Sequence, residues 1–322
     1  MTGMVLPAAL SGHSMQNSIP QKPLGKTGLQ VSALGLGGFH LGSVETLDTA
    51  KAIVDRALDA GVTFFDNAWE YHGGKSEEWL GEALKGKRNK VVLMTKVCTH
   101  GRDKNTALRM LDESLKRLRT DHVDIWQIHE VIYDNDPDLI FGQNGAAEAL
   151  VAAKQSGKVR FVGFTGHKDP SIHLRMLSHN FPFDTVQMPL NCFDGTFRSF
   201  ERRVLPECLK QGRAVLGMKS LGGSGEMVSH GAITPDEGLR YAMSLPVATT
   251  ISGIDSLEVL EQNLAIAHSF EPMTVSEMDA LRNRVRSYAS DGRFELFKTT
   301  KKYDGDLGRA QHEFPTEAQL PA

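Results

Sequence analysis

Eight short runs rich in Val, Ile and Phe, with little alternation between apolar and polar positions, punctuate this chain. They lie near Ser32–Gly38, Thr63–Ala68, Val91–Val97, Val123–His129, Val159–Thr165, Thr185–Leu190, Ala214–Lys219 and Ala248–Gly253. Apolar runs of this length are expected of parallel strands covered by helices on one side and filled by side chains on the other. Between them, apolar residues recur at three- and four-residue spacing, as in Ala50, Ile53, Val54 and Leu58, and again in Leu108, Leu111, Leu115 and Leu118. That spacing predicts amphipathic helices, and Gly61, Gly157 and Gly212 stand where C-caps would end three of them. Eight strand–helix pairs make an α/β chain, and the expected architecture is a (β/α)8 TIM barrel.

The ends of the chain break this pattern. Residues 1–20 are weakly apolar with no Lys or Arg in the first fifteen positions, and read as a disordered leader ahead of a single barrel domain over 21–322. The stretch from Gln21 to Ser32 places a Gly-Lys-Thr-Gly turn between short apolar pairs, which predicts a small hairpin able to plug the barrel's bottom. An extra helix is predicted over Val275–Tyr288, where Met278, Leu281 and Val285 form one stripe. The tail from Arg293 is polar with scattered aromatics, suited to folding over the barrel mouth or to staying mobile. An open doubly wound sheet would normally carry G-x-G-x-x-G after its first strand, and Leu34-Gly-Leu-Gly-Gly-Phe-His40 lacks that fingerprint.

A length of 322 residues at 40% hydrophobic content is enough for one substantial core. The net charge of -3, with both signs interspersed, gives no electrostatic footprint for nucleic acid or an anionic membrane, so neither is an expected partner. Three widely spaced cysteines, Cys98, Cys192 and Cys208, suggest no disulfide framework and point to a reducing cytoplasm. The scattered His72, His100 and His167 are read as ordinary loop histidines, and no metal is expected.

Chemistry enters through four ionisable residues. Asp66 ends the second strand-like run, Tyr71 lies on the loop beyond it, Lys96 ends the third, and His129 ends the fourth. Strand ends of an α/β barrel converge on one face, so these four are expected to surround a single reacting group. A Tyr hydroxyl ordinarily titrates near pH ~10 and needs a nearby cation to exchange protons readily. Lys96 is placed to supply that charge, with Asp66 as its carboxylate partner and His129 free to polarise a carbonyl. Tyr71 then serves as acid in a reduction or base in an oxidation. Each residue alone has a plainer reading as cap, surface charge, loop aromatic or satisfied core histidine.

With these four in this order, the chain resembles the aldo-keto reductase superfamily, from about Pro23 to Ala267. The resemblance implies a (β/α)8 barrel, an NADP cofactor (NAD being the alternative), and reduction of a small-molecule aldehyde or ketone to an alcohol. It also implies a cofactor track. Thr165 and Gln187 match positions that hold the nicotinamide carboxamide, with Gly166 where Asn is usual and His167 as its substitute. Met218 occupies a position where an aromatic ring often stacks. Gly38, Asp66, Lys219, Leu221, Gly223 and Gly225 belong to the same track, and the small residues of Leu221-Gly-Gly-Ser-Gly225 would let amides approach a pyrophosphate. Gly253, Asp255, Ser256, Gln262 and Asn263 match the adenosine stretch. Asp255 stands near where many members carry a Lys or Arg for the 2′-phosphate.

Trp69, Trp126, Phe39 and His40 are the aromatic candidates for the substrate mouth, with His129; for Trp126 a core position facing the helices is an equal reading. Two further functions are compatible with the resemblance: an NAD-dependent sugar or alcohol dehydrogenase, and a cofactor-sensing subunit similar to channel-associated β subunits. Substrate identity and oligomeric state are not encoded in these motifs.

Overall fold

The computed structural model describes residues 18–98 and 102–319. A two-stranded antiparallel hairpin, β1 (Gln21–Pro23) and β2 (Gln30–Ser32), precedes eight parallel strands: β3 (Leu34–Gly37), β4 (Phe64–Asp66), β5 (Val92–Val97), β6 (Val123–Ile128), β7 (Val159–Thr165), β8 (Thr185–Pro189), β9 (Ala214–Met218) and β10 (Thr249–Gly253). The eight form a closed barrel in which β10 pairs with β3. The expected barrel is present, with β3 and β4 shorter than expected by three residues, β7 as expected and the other five strands shorter by one.

Side chains alternate between two apolar layers along each strand. Phe64, Val92, Met94, Ile125, Leu216 and Ile251 cluster inside the barrel. Their neighbours Phe65, Leu93, Trp126 and Val215 belong to the outer core beneath the helices. Extending the inward parity toward the C-terminal ends predicts that Asp66, Lys96, His129, Thr165, Gln187, Met218 and Gly253 face the mouth. The same parity sends Trp126 outward. It is fully buried in the outer core, so the mouth position considered for it does not hold.

The hairpin closes the opposite end. Leu24 and Val31 are both fully buried and join the interior cluster. Just ahead of Gln21, Ile19 packs into the core, and the Pro20 carbonyl accepts a 2.8 Å hydrogen bond from the Ala33 amide. Residues 1–17 of the expected leader lie outside the described residues.

The helices start on caps the sequence supplies. Thr46, Asp103, Asp169, Ser199, Thr234, Ser256 and Thr274 each accept a hydrogen bond from a first-turn amide. The predicted extra helix runs over Val275–Ala289. Beyond it the tail folds over the mouth, with short helices at Leu296–Thr299 and Asp306–Gln311. Phe297 is fully buried, and Lys298 is buried against Asp194 (2.6 Å), Glu295 (2.9 Å) and the Phe197 carbonyl (2.9 Å). A buried ammonium paired and hydrogen-bonded in this way fixes the tail, because leaving the site would strand both carboxylates. Among the described residues no helix is long and apolar enough to cross a membrane.

Candidate active site

The inward-facing strand ends, the loops after them and the tail enclose a cavity of about 1060 Å³ at the C-terminal end of the barrel. At its floor the Lys96 ammonium touches Asp66 Oδ1 (2.5 Å) and donates to the Asn67 carbonyl (2.9 Å) and the Tyr71 hydroxyl (3.3 Å). Lys96 and Asp66 are almost completely buried, with side chains 1% and 5% exposed. Tyr71 begins a one-turn 3-10 helix, Tyr71–Gly74, and its ring meets the rings of His129 at 5.7 Å and Phe39 at 5.3 Å, both edge-on. The four residues expected to converge therefore do so.

Their electrostatics differ from the sequence expectation in one respect. Burial, followed by the charges of Asp66, Glu70 and Glu130, holds the Tyr71 phenol well above its usual range. Lys96 was expected to favour the phenolate, but its charge is shared with Asp66, and the carboxylates around the ring outweigh it. The hydroxyl is thus a firmly protonated donor. Burial, and after it the Lys96 charge, pushes His129 down to about 3, so its imidazole is neutral. Burial raises Asp66, with Lys96 opposing that shift.

Two carboxyl groups escaped the sequence reading. Glu70, the residue before Tyr71, contacts His129 Nδ1 through Oε1, and its Oε2 is buried with no partner among the described residues. Glu130, the residue after His129, accepts from the Gly305 amide at 3.0 and 2.9 Å and lies 3.8 Å from Cys98 Sγ. Burial pushes each up to about 7. Arg102 clamps this corner by donating to the carbonyls of His129 (2.9 Å) and Glu130 (2.7 Å). Adjacency to Tyr71 and to His129 was the one signal for Glu70 and Glu130. Glu70, His129 and Glu130 carry atoms within 4.8 Å of one another, a spacing a cation could also bridge, but the Glu70–His129 hydrogen bond already joins two of the three.

His72, Arg102, Glu130 and Lys219 all adopt left-handed backbone with φ between 51° and 55°. Such conformations cost on the order of 1 kcal/mol or more for a residue with a side chain and collect where a site over-determines them. Lys219 places its ammonium over the rings of Phe297 (5.2 Å) and Tyr303 (5.3 Å), and burial lowers it to about 8.

Besides Asp66, eleven positions of the expected cofactor track lie on the wall of this one cavity. Thr165, Gly166, His167, Gln187, Met218, Lys219, Leu221, Gly223, Gly225, Gly253 and Asp255 line the cavity. Thr165 Oγ1 and Gln187 Oε1 are buried without a partner among the described residues, which fits a ligand carrying a carboxamide. Gly166 has a steric reason to replace Asn: a Cβ there would lie 2.1 Å from the Val131 carbonyl oxygen. His167 does not stand in for Asn freely, since its Nε2 faces Asp304 at 3.7 Å.

Four positions of the track lie off the cavity wall. Gly38 is a packing glycine whose Cβ would fall 2.5 Å from the Asp66 carbonyl oxygen, and Gly37 lines the cavity in its place. Ser256 is consumed as the cap of the Leu257–His268 helix. Gln262 is exposed, while Asn263 is buried with its amide 3.1 Å from Ser252 Oγ. Of the substrate candidates, Trp69, Phe39 and His40 line the cavity. Trp69 is fixed by its Nε1–H donating to Glu113 (2.8 Å) and by Arg117 over its ring at 5.1 Å.

The tail supplies the remaining wall through Leu296 and Lys302–Leu307. Tyr303 packs on Gly223 and hydrogen-bonds Glu226 (2.9 Å) and Ser224 (3.1 Å); Asp304 pairs with Lys168 (2.6 Å). A Cβ at Gly305 would come within 2.6 Å of the Glu130 carboxylate. Gly305→Ala is therefore expected to loosen the tail, seen as faster limited proteolysis after residue 292, with the barrel's melting transition retained.

Comparison with known proteins follows the same lines. The sequence model of the Aldo/keto reductase family matches residues 33–229. L-galactose dehydrogenase of Arabidopsis thaliana is 29% identical over 314 residues, covering 84% of this chain and 96% of that protein. L-glyceraldehyde 3-phosphate reductase of Escherichia coli strain K12 is 35% identical over 158 residues, 44% of each chain. Among solved structures, an aldo-keto reductase from Bacillus halodurans in its holo form superposes with a TM-score of 0.69 at 23% identity, covering 83% of this chain and 96% of that one, a likeness of fold.

Proposed function

This chain belongs to the aldo/keto reductase family, and on that footing we propose that it reduces an aldehyde or ketone to an alcohol with a nicotinamide dinucleotide, Tyr71 giving the proton to the substrate oxygen. The observation that carries this is the Tyr71 hydroxyl, protonated, 3.3 Å from the Lys96 ammonium and edge-on to the neutral His129 ring. When bound, the cofactor supplies the hydride. The chain's own residues do the rest. Asp66 pairs with Lys96 and fixes it in a buried floor, Lys96 donates toward the phenol oxygen and stabilises the charge left as its proton departs, and His129 hydrogen-bonds the reacting oxygen. Thr165 and Gln187 would offer the carboxamide its partners, Met218 would pack against the nicotinamide, and the amides of the Leu221–Gly225 loop would hold the pyrophosphate.

NADP is the coenzyme the resemblance implies, yet Asp255 lies exposed at the cavity rim with no ion-pair partner among the described residues. A carboxylate there disfavours a 2′-phosphate and suits free ribose hydroxyls. Asp255→Arg is expected to shift the ratio of NADPH to NADH affinity toward NADPH by about tenfold, on the order of 1.4 kcal/mol, as read by fluorescence titration of each coenzyme. No change in that ratio would remove Asp255 from the adenosine site.

An alcohol or sugar dehydrogenase is the second reading. It is favoured by a cavity lined with Glu70, Glu130 and Asp304, acceptors matched to a polyhydroxylated substrate, and by the likeness to L-galactose dehydrogenase. Steady-state turnover of a carbonyl panel with NADPH and NADH, set against a sugar and alcohol panel with the oxidised coenzymes, separates the two. A single slow turnover with retained coenzyme would favour a sensing role over both.

A further inference from the structure

Glu70 has no assigned role, although it makes the one direct hydrogen bond to the His129 ring found among the described residues. We propose that Glu70 sets the tautomer of His129, so that the fully protonated pair presents Nε2–H to a carbonyl oxygen and the singly protonated pair presents a bare Nε2 to an alcohol hydroxyl. The proposal rests on the reading above that His129 faces the reacting oxygen.

The geometry leaves few arrangements. Glu70 Oε1 and His129 Nδ1 share one proton, whichever atom holds it. A carboxylate can only accept, so with Glu70 ionised the imidazole must donate from Nδ1, and a neutral ring then has no proton left for Nε2. With one more proton on the pair, Nδ1 and Oε1 still share theirs and the added proton sits on Nε2. Loss of one proton therefore converts the group facing the cavity from donor to acceptor. The ring is held on two further sides, with the His129 carbonyl accepting from Arg102 and the ring edge-on to Tyr71, while Glu70 Oε2 has no competing partner among the described residues.

The surroundings place the change near neutrality. Glu70 is 18% exposed, and burial pushes it up to about 7, against the backbone hydrogen bond at Glu70 and the opposing charges of Lys96 and Arg102. The charged and titratable groups packed around the pair are Asp66 from β4, Tyr71 beside Glu70, Lys96 from β5, Cys98 and Arg102 after β5, Glu130 after β6, Lys219 after β9 and Asp304 from the tail. The Glu70 charge pushes up Tyr71, Cys98 and Glu130 alike, and of these Glu130 is capped by the Gly305 amide. The consequence is directional: below the transition the site is set to reduce, and above it to oxidise.

The test does not depend on knowing the substrate. In protein labelled with 15N-histidine, with His129 assigned by a His129→Asn variant, the ring nitrogen shifts are expected to report Nε2–H at pH 5.5 and Nδ1–H at pH 8.5. Glu70→Gln should abolish that pH dependence, and Glu70→Asp, which keeps a carboxylate, should retain it with a displaced midpoint. Should Glu70→Gln fail to fold, the wild-type titration together with Glu70→Asp decides the matter. A wild-type tautomer that is constant over this range, or one that still titrates in Glu70→Gln, overturns the proposal. If the titration is seen but no carbonyl or alcohol is turned over, the tautomer control stands and the proposed reaction falls. With an active substrate, the ratio of reductive to oxidative kcat should drop about tenfold or more across the same range in wild type and stay level in Glu70→Gln.

Discussion

Tyr71→Phe is expected to lower kcat for carbonyl reduction by about 10²–10⁴-fold, the usual worth of a positioned general acid, while leaving coenzyme affinity within about threefold of wild type. The phenyl ring keeps the edge contacts to Phe39 and His129, so the wall of the cavity survives. What is lost is the one hydroxyl that Lys96 approaches at 3.3 Å. Stopped-flow single turnover separates the chemical step from product release and is the measurement to make. Wild-type rates in the variant would show that another donor, with His129 the nearest candidate, protonates the product. Because burial and three carboxylates hold the phenol high, the wild-type reductive rate should not fall through an ordinary tyrosine titration below pH 9.

Lys96→Met carries the second large effect, and here stability and catalysis fail together. The variant leaves the Asp66 carboxylate buried without its cation, a loss on the order of 3–5 kcal/mol for one partner of a buried pair. The pH dependence has a definite sign. Asp66 already has a raised folded value because burial favours its neutral form. Removing the ammonium raises it further, so the variant's deficit should be largest at alkaline pH and shrink as pH falls through the folded value. Denaturant melts at pH 8 and pH 5 read this directly. Adding Asp66→Asn to Lys96→Met should recover part of the stability with no recovery of turnover, since the uncompensated charge is gone but the phenol still lacks its cation. A double variant no more stable than the single one would mean that the pair is not held together as a buried ion pair.

The barrel was legible because its strands are apolar runs of fixed period. Once Phe64, Met94 and Ile125 are read as interior, a period of two carries Asp66, Lys96 and His129 to the same side without further information. The same arithmetic places Thr165, Gln187 and Met218. It failed where side chains follow other rules. Ser256 and Gln262 looked like ligand groups, but a helix starting at Leu257 takes the first as its cap and rotates the second into solvent. Gly166 read as a lost Asn, whereas the approach of the Val131 carbonyl leaves room for no side chain at all. Glu70 and Glu130 were hidden because nothing in a carboxylate's sequence context reveals burial; their positions depend on an Arg102 clamp and on Gly305, which is 175 residues from Glu130. The tail was the least legible part, since polar residues that bury themselves by pairing with one another, as Lys298 does with Asp194 and Glu295, have the composition of a solvated strand end.

The division of labour between barrel and tail has a practical consequence. Proton-handling groups sit on strands and their adjoining turns, whereas Leu296 and Lys302–Leu307 form a part of the rim that belongs to the tail alone and is anchored through Lys298. A chimaera that keeps residues up to 292 and receives a different terminal segment, with Lys298, Asp304 and Gly305 retained as anchors, is therefore a route to altered substrate range without redesigning the chemistry. Selection for new substrates in this scaffold can begin at its last thirty residues.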